Sequence, residues 1–225
     1  MAADAVTARP AAVLFDMDGT LIETDHLYAE VGSRFVLETG GEWTDAHREA
    51  SIGTSLDDFA DQLQAAGAVR PREELIEHVV SGVTQAMRRS LPWRDGALEL
   101  LTSVAATGVR IGLVTMAYRE SAQLVLDAPG APEFDVVVTG DDVTNGKPHP
   151  EPYLTAARLL GFDPRECVVL EDSELGLTAA GGAGMVRIAV PQATDVDGSL
   201  HEARWATLEG RTADDVFAEW RALRG

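Results

Sequence analysis

Five short apolar runs punctuate the chain: AAVLF at 11–15, VRIGLVT at 109–115, FDVVVTG at 134–140, CVVLE at 167–171 and VRIAV at 186–190. Each is rich in Val, Leu or Ile, and none alternates apolar with polar. That is how a strand buried on both faces reads. Segments of helical pattern lie between them: 96–107 ahead of Gly108, 118–128, 150–160 between Pro150 and Gly161, and 173–183. Strand and helix in alternation, joined by right-handed crossovers, predict an α/β fold. The expected architecture is a Rossmann-like three-layer core, with a parallel sheet between two helical layers. TADDVFAEWRALR near the C-terminus reads as a last helix.

One interval does not fit a simple crossover. Residues 24–90 hold no good strand pattern but several helical ones. Ser55 is placed to cap LDDFADQLQAAG, and Pro71 opens PREELIEHVVSGVTQAMRR at the first helical turn. The interval is far longer than an ordinary connection between strands. It is expected to be a helical subdomain inserted after the first strand, leaving 1–23 and 91–225 as the α/β core. The linkers then fall near Ile22–Thr24 and Ser90–Arg94.

Ligands of open parallel sheets bind beyond the carboxyl ends of the strands, so the polar residues at those ends are the candidate site. Strand one runs into Asp16-Met17-Asp18-Gly19-Thr20, and strand two into Thr115-Met116-Ala117. Strand three is followed by Asp141-Asp142 and then Gly146-Lys147-Pro148, and strand four by Glu171-Asp172-Ser173. Carboxylates gathered on one edge repel one another unless a hard cation such as Mg²⁺ holds them through oxygen. Such a cation also lets a carboxylate approach a phosphate and orients the phosphoryl oxygens. A second carboxylate two residues on can protonate a leaving oxygen and later take a proton from water.

Charge narrows the partners. With 18 basic and 37 acidic residues the formal net charge is −19, a field that repels nucleic acid and anionic lipid. A small phosphorylated metabolite held by a local positive site remains open. All the basic residues except Lys147 are arginine, so the one compact ammonium of the chain lies within the strand-end set. The single cysteine, Cys167, excludes an internal disulfide and suits a reducing compartment. No signal-peptide pattern and no membrane-length apolar run is present. The expectation is a soluble cytoplasmic monomer.

DMDGT at 16–20, the Thr closing LVT at 115, GKPHPEPY at 146–153 and LEDSELGLTAAGGAGM at 170–185 occur in that order. Together they resemble the haloacid dehalogenase superfamily of phosphohydrolases. The likeness is to the subgroup holding sugar-phosphate phosphatases, phosphoglycolate phosphatases and β-phosphoglucomutase, whose helical cap follows strand one. The resemblance implies Asp16 as a nucleophile that forms an aspartyl phosphate and also binds Mg²⁺. It implies Asp18 as general acid–base with its carbonyl on the metal, Asp172 as a metal ligand and Glu171 as support for the metal site. Thr115, Met116 through its backbone, and Lys147 correspond to phosphate binders, and Gly53 and Thr54 to the substrate loop of the cap. The family usually has a short polar residue, often Asn, where this chain has Met116.

The same scaffold hosts several reactions. Family dehalogenases lack the second aspartate of the first motif, whereas Asp18 is present; phosphonoacetaldehyde hydrolases use a cap lysine, and 24–90 contains none. The related mutase places basic residues in its cap loop, whereas Ser51–Leu56 has none. A Mg²⁺-dependent phosphatase acting on a sugar or polyol phosphate is therefore expected ahead of a β-phosphoglucomutase-like mutase or an inactive binding relative.

Overall fold

The computed structural model describes residues 9–52, 54–192 and 195–224. In chain order the elements are β1 (Ala12–Phe15), α1 (Asp25–Glu38), α2 (Asp45–Ser51), α3 (Leu56–Ala65), α4 (Arg72–Arg89), α5 (Ala97–Ala106), β2 (Arg110–Val114) and α6 (Arg119–Leu126). There follow β3 (Val136–Val138), α7 (Glu151–Leu160), β4 (Cys167–Glu171), α8 (Glu174–Gly182), β5 (Val186–Ala189), β6 (Ala203–Arg204) and α9 (Ala213–Arg224). The strands form one parallel sheet in the order β3-β2-β1-β4-β5-β6. The chain winds from β1 out to β3, then returns across the sheet to β4.

Burial on both faces follows the unbroken apolar runs. Ala12, Leu14, Val114, Val138 and Val169 pack with Tyr153, Ala156 and Ala157 of α7 and with Ala179 and Ala180 of α8. The pleat sends Val13 and Phe15 to the opposite face. α5 packs on β2, and α9 on α5. The third run is shorter as a strand than its pattern suggests, because Gly140–Asp142 turns into a 3₁₀ turn capped by Thr139.

The chain divides into two compact units, one running to Ile22 and resuming at Trp93, the other spanning Glu23–Pro92. The second is built from α1, α3 and α4, around Phe35, Val36, Phe59, Leu63, Leu75, Val79, Val83 and Met87. In α4 the buried positions recur every four residues, the stripe of an amphipathic helix. The Ser55 hydroxyl accepts the Asp58 N–H at 3.1 Å, capping α3, while Pro71 stands one place ahead of α4. No helix among the described residues is long and apolar enough to cross a membrane.

Candidate active site

Parallel register brings three strand ends level. Phe15 of β1 lies beside Leu113 of β2 and Leu170 of β4, so Asp16, Val114 and Glu171 emerge together. β1 and β4 flank the point where the winding reverses, the crevice in which open sheets bind ligands.

After β1 the chain makes a tight turn. Leu21 and Ile22 donate N–H bonds to the Met17 carbonyl, and Gly19 N–H donates to Ile22 O at 2.8 Å. Gly19 has φ of +80°, and a Cβ there would stand 2.0 Å from Asp172 Oδ2. Only glycine satisfies both the turn and the close approach. Thr20 donates its hydroxyl to Asp172 Oδ1 at 3.4 Å, and Thr115 donates to Asp18 Oδ2 at 3.1 Å while accepting the Ala117 N–H at 3.0 Å. The first motif thus donates to the carboxylate of the fourth and accepts from the hydroxyl of the second.

Lys147 is the hub. Its Nζ donates to Asp16 Oδ1 and Glu171 Oε1, each at 2.6 Å, and to the Val114 carbonyl at 3.1 Å. All three ammonium donors are thereby used. Its side chain is 6% exposed, that of Asp16 8% and that of Glu171 1%, so the ion pairs lie out of bulk water. Tyr153 donates its hydroxyl to the same Glu171 oxygen at 3.1 Å, and its ring centroid lies 5.1 Å from Nζ. The other Glu171 oxygen accepts the Ser173 N–H and hydroxyl, each at 3.0 Å. Burial pushes the Asp16 carboxyl up to about 7; Lys147 opposes this, while Glu171 and Asp18 add to it. Burial alone would lower the lysine, but Asp16 and Glu171 hold it well above its ordinary value.

Asp16 Oδ2 is buried with no partner among the described residues. Asp16, Glu171 and Asp172 each present a carboxylate oxygen within 4.8 Å of the others. An orphaned buried oxygen beside two more is a donor set of the kind a hard divalent cation takes. Glu171 already accepts four hydrogen bonds, one of them from the Lys147 ammonium.

The structure brings together Asp16, Asp18, Thr115, Lys147, Glu171 and Asp172. Met116 is half-buried, with its sulfur turned to Lys147. Thr54 is exposed and donates to Ser51 O at 3.0 Å, within the α2–α3 connection; Gly53 lies outside the described residues. Asp141 and Asp142 do not join the set. They accept from Arg119 and from Thr139, fastening α6 to the end of β3. Sequence reasoning missed Arg94, which is buried and donates to Gly19 O at 2.5 Å and Val190 O at 2.7 Å. It also assigned no role to Tyr153, because a tyrosine facing a helix's core reads as packing. A lone arginine after a tryptophan carries no signal of its own.

The family model for haloacid dehalogenase-like hydrolases matches residues 13–190. The chain is 31% identical to validoxylamine A 7′-phosphate phosphatase of Streptomyces hygroscopicus subsp. limoneus, over 85% of this chain and 95% of that one. It is also 31% identical to hexitol phosphatase A of Escherichia coli (strain K12), over 92% and 97% respectively. A variant of CbbY from Rhodobacter sphaeroides, solved in complex with xylulose-(1,5)bisphosphate, superposes with a TM-score of 0.76 at 26% identity, covering 89% of this chain and 96% of that one. A buried Asp–Lys–Glu hub at the switch point of a parallel sheet, a family model spanning most of the chain and near-full-length relatives agree: the chain belongs to the haloacid dehalogenase-like hydrolases, in their sugar-phosphatase subgroup.

Proposed function

We propose that the substrate of this phosphoric monoester hydrolase is a sugar or polyol phosphate, hydrolysed through an aspartyl phosphate on Asp16. The observation that carries the reading is Asp16 itself. One of its oxygens is held by Lys147 at 2.6 Å, and the other is buried with no partner among the described residues. The relatives named as validoxylamine A 7′-phosphate phosphatase and hexitol phosphatase A support the substrate class.

Asp16 attacks phosphorus, and the P–O bond to the sugar breaks. Asp18, two residues on, gives its proton to the leaving oxygen, then accepts one from the water that attacks the acyl phosphate. Lys147 and the Thr115 hydroxyl, whose donors this structure commits to Asp16 and Asp18, would each pass one to a phosphoryl oxygen when substrate binds, beside the Met116 backbone N–H. Asp16, the Asp18 carbonyl and Asp172 would hold Mg²⁺, which when bound offsets the repulsion between carboxylate and phosphate. Residues 24–90 serve as the cap, and Gly53 and Thr54 as its substrate loop. Glu171 and Tyr153 keep the ammonium aimed at the site.

Phosphate-monoester hydrolysis demands rate enhancements of up to ~10²¹, so the nucleophile is indispensable. Asp16→Asn is expected to lose nearly all phosphate release across a panel of phosphate esters, and a chelator to stop the wild type reversibly. Near-normal turnover by the variant, or hydrolysis indifferent to metal, overturns the reading. Mutase chemistry needs a second cationic pocket for the far phosphate. Arg48, the basic residue nearest the 51–56 loop, is exposed and lies 3.9 Å from Asp45. Rapid isomerisation of a sugar monophosphate primed with trace bisphosphate, with little free phosphate, decides for a mutase.

A further inference from the structure

We propose that Met116 is a positioning residue whose thioether sulfur sets the backbone, and through it the ammonium, of Lys147. The role for Lys147 rests on the phosphatase reading; the anchoring itself does not.

Two contacts place the sulfur, and a third places the backbone behind it. The Lys147 N–H donates to Met116 Sδ at 3.3 Å, spanning two motif loops far apart in sequence. At Gly146 an added Cβ would stand 2.9 Å from the same sulfur, so the turn closes on it without a side chain between. At Gly140 an added Cβ would stand 2.6 Å from the Met116 carbonyl oxygen, so the Met116 backbone is gripped from the end of β3 as well. The side chain standing where the family usually has a short polar residue therefore reaches across to the third motif. A thioether is a weak acceptor, but it is polarisable and long enough to arrive. A seryl oxygen stands one bond nearer the main chain and does not reach as far.

Consequences for Lys147 follow from its three fixed partners. With Nζ bound to Asp16, Glu171 and the Val114 carbonyl, a shift of the main chain at 147 is passed to the side-chain torsions and to those bonds. Met116 thus acts on the site through the lysine.

Because Lys147 is the only lysine in the chain, ¹⁵N-lysine labelling of the full-length protein yields a single backbone amide signal. Met116→Leu keeps the volume and removes the acceptor; Gly146→Ala keeps the acceptor and displaces it. In both, the amide signal is expected to shift and its hydrogen exchange to quicken about threefold or more, the scale of one weak hydrogen bond. The kcat/KM for p-nitrophenyl phosphate is expected to fall in step. An unmoved signal with unchanged exchange in Met116→Leu overturns the proposal. If the wild type hydrolyses no phosphate ester while the amide responds as described, the anchoring stands and the phosphatase reading fails.

Discussion

Glu171 shows how a single buried carboxylate comes to be fully committed. Lys147 and Tyr153 donate to one oxygen, the Ser173 backbone and hydroxyl to the other. A Cβ at Gly176 would stand 1.6 Å from Glu171 Oε1, so the first turn of α8 leaves room for the carboxylate only because it lacks a side chain. Tyr153→Phe removes one charge-assisted bond and is expected to cost about 2 kcal/mol of unfolding free energy in denaturant titration. Gly176→Ala must displace the carboxylate, and we expect a larger loss of stability together with a drop in kcat/KM. Burial pushes the Cys167 thiol up to about 12, so iodoacetamide at pH 8 is expected to leave the native protein unmodified and to react on unfolding, read by mass spectrometry. Asp16, Asp18 and Asp172 stood out in the sequence because they follow closely on apolar runs, and Lys147 because it is the chain's one lysine. Tyr153, Arg94 and the sulfur contact of Met116 did not, since each depends on which loop lies opposite.

Among the elements, runs of Val, Leu and Ile declared the five longer strands, and Gly108 and Gly161 closed their helices as the pattern required. β6 was invisible, for it is only two residues long. A clamp next to it substitutes for strand pattern. Glu202 accepts the Arg187 N–H at 2.7 Å and its guanidinium at 3.1 and 2.5 Å, and Glu202 N–H donates back to Arg187 O at 3.1 Å. Burial would raise the Glu202 carboxyl, but the Arg187 side chain and backbone outweigh it and hold it below its usual value. A depressed folded value stabilises above the ordinary carboxylate range and fades as pH falls through it. Glu202→Gln should thus lower the thermal midpoint at pH 7 and make little difference near pH 3. At the other end of the chain, Ser55→Ala removes the α3 cap and is expected to cost about 1 kcal/mol.

At the scale of the whole molecule the excess of acid matters more than any pair. A formal charge of −19 sets like charges against one another throughout the folded chain, and salt screens them over roughly 10 Å at 0.1 M. Raising NaCl from low ionic strength to 0.3 M at neutral pH is expected to raise the thermal midpoint, measured by calorimetry. A midpoint that falls with salt would show surface ion pairs outweighing the repulsion. That the strands run parallel was readable from the alternation of strand and helix, because a parallel strand pair requires a crossover, whereas their order in the sheet was not. The individual helices α1 and α2 were not readable either, because Asp25–Glu38 carries a weak stripe and Asp45–Ser51 buries nothing.

The long excursion after β1 leaves and re-enters by neighbouring strands of chain. Ile22 bridges Trp93, Arg94 N–H donates to Leu21 O at 2.9 Å, and Glu23 N–H donates to Pro92 O at 2.8 Å. A segment whose two ends meet at a pair of hydrogen bonds is, topologically, a bead on a doorway. Its length adds little to the work of closing the loop, about 0.6 kcal/mol for each doubling, and its contents place no demand on the register of the sheet behind it. Such an insert can be lengthened, shortened or exchanged wholesale between relatives while β1 and β2 stay paired, so the part of the chain freest to diversify is attached directly beside the part that cannot change.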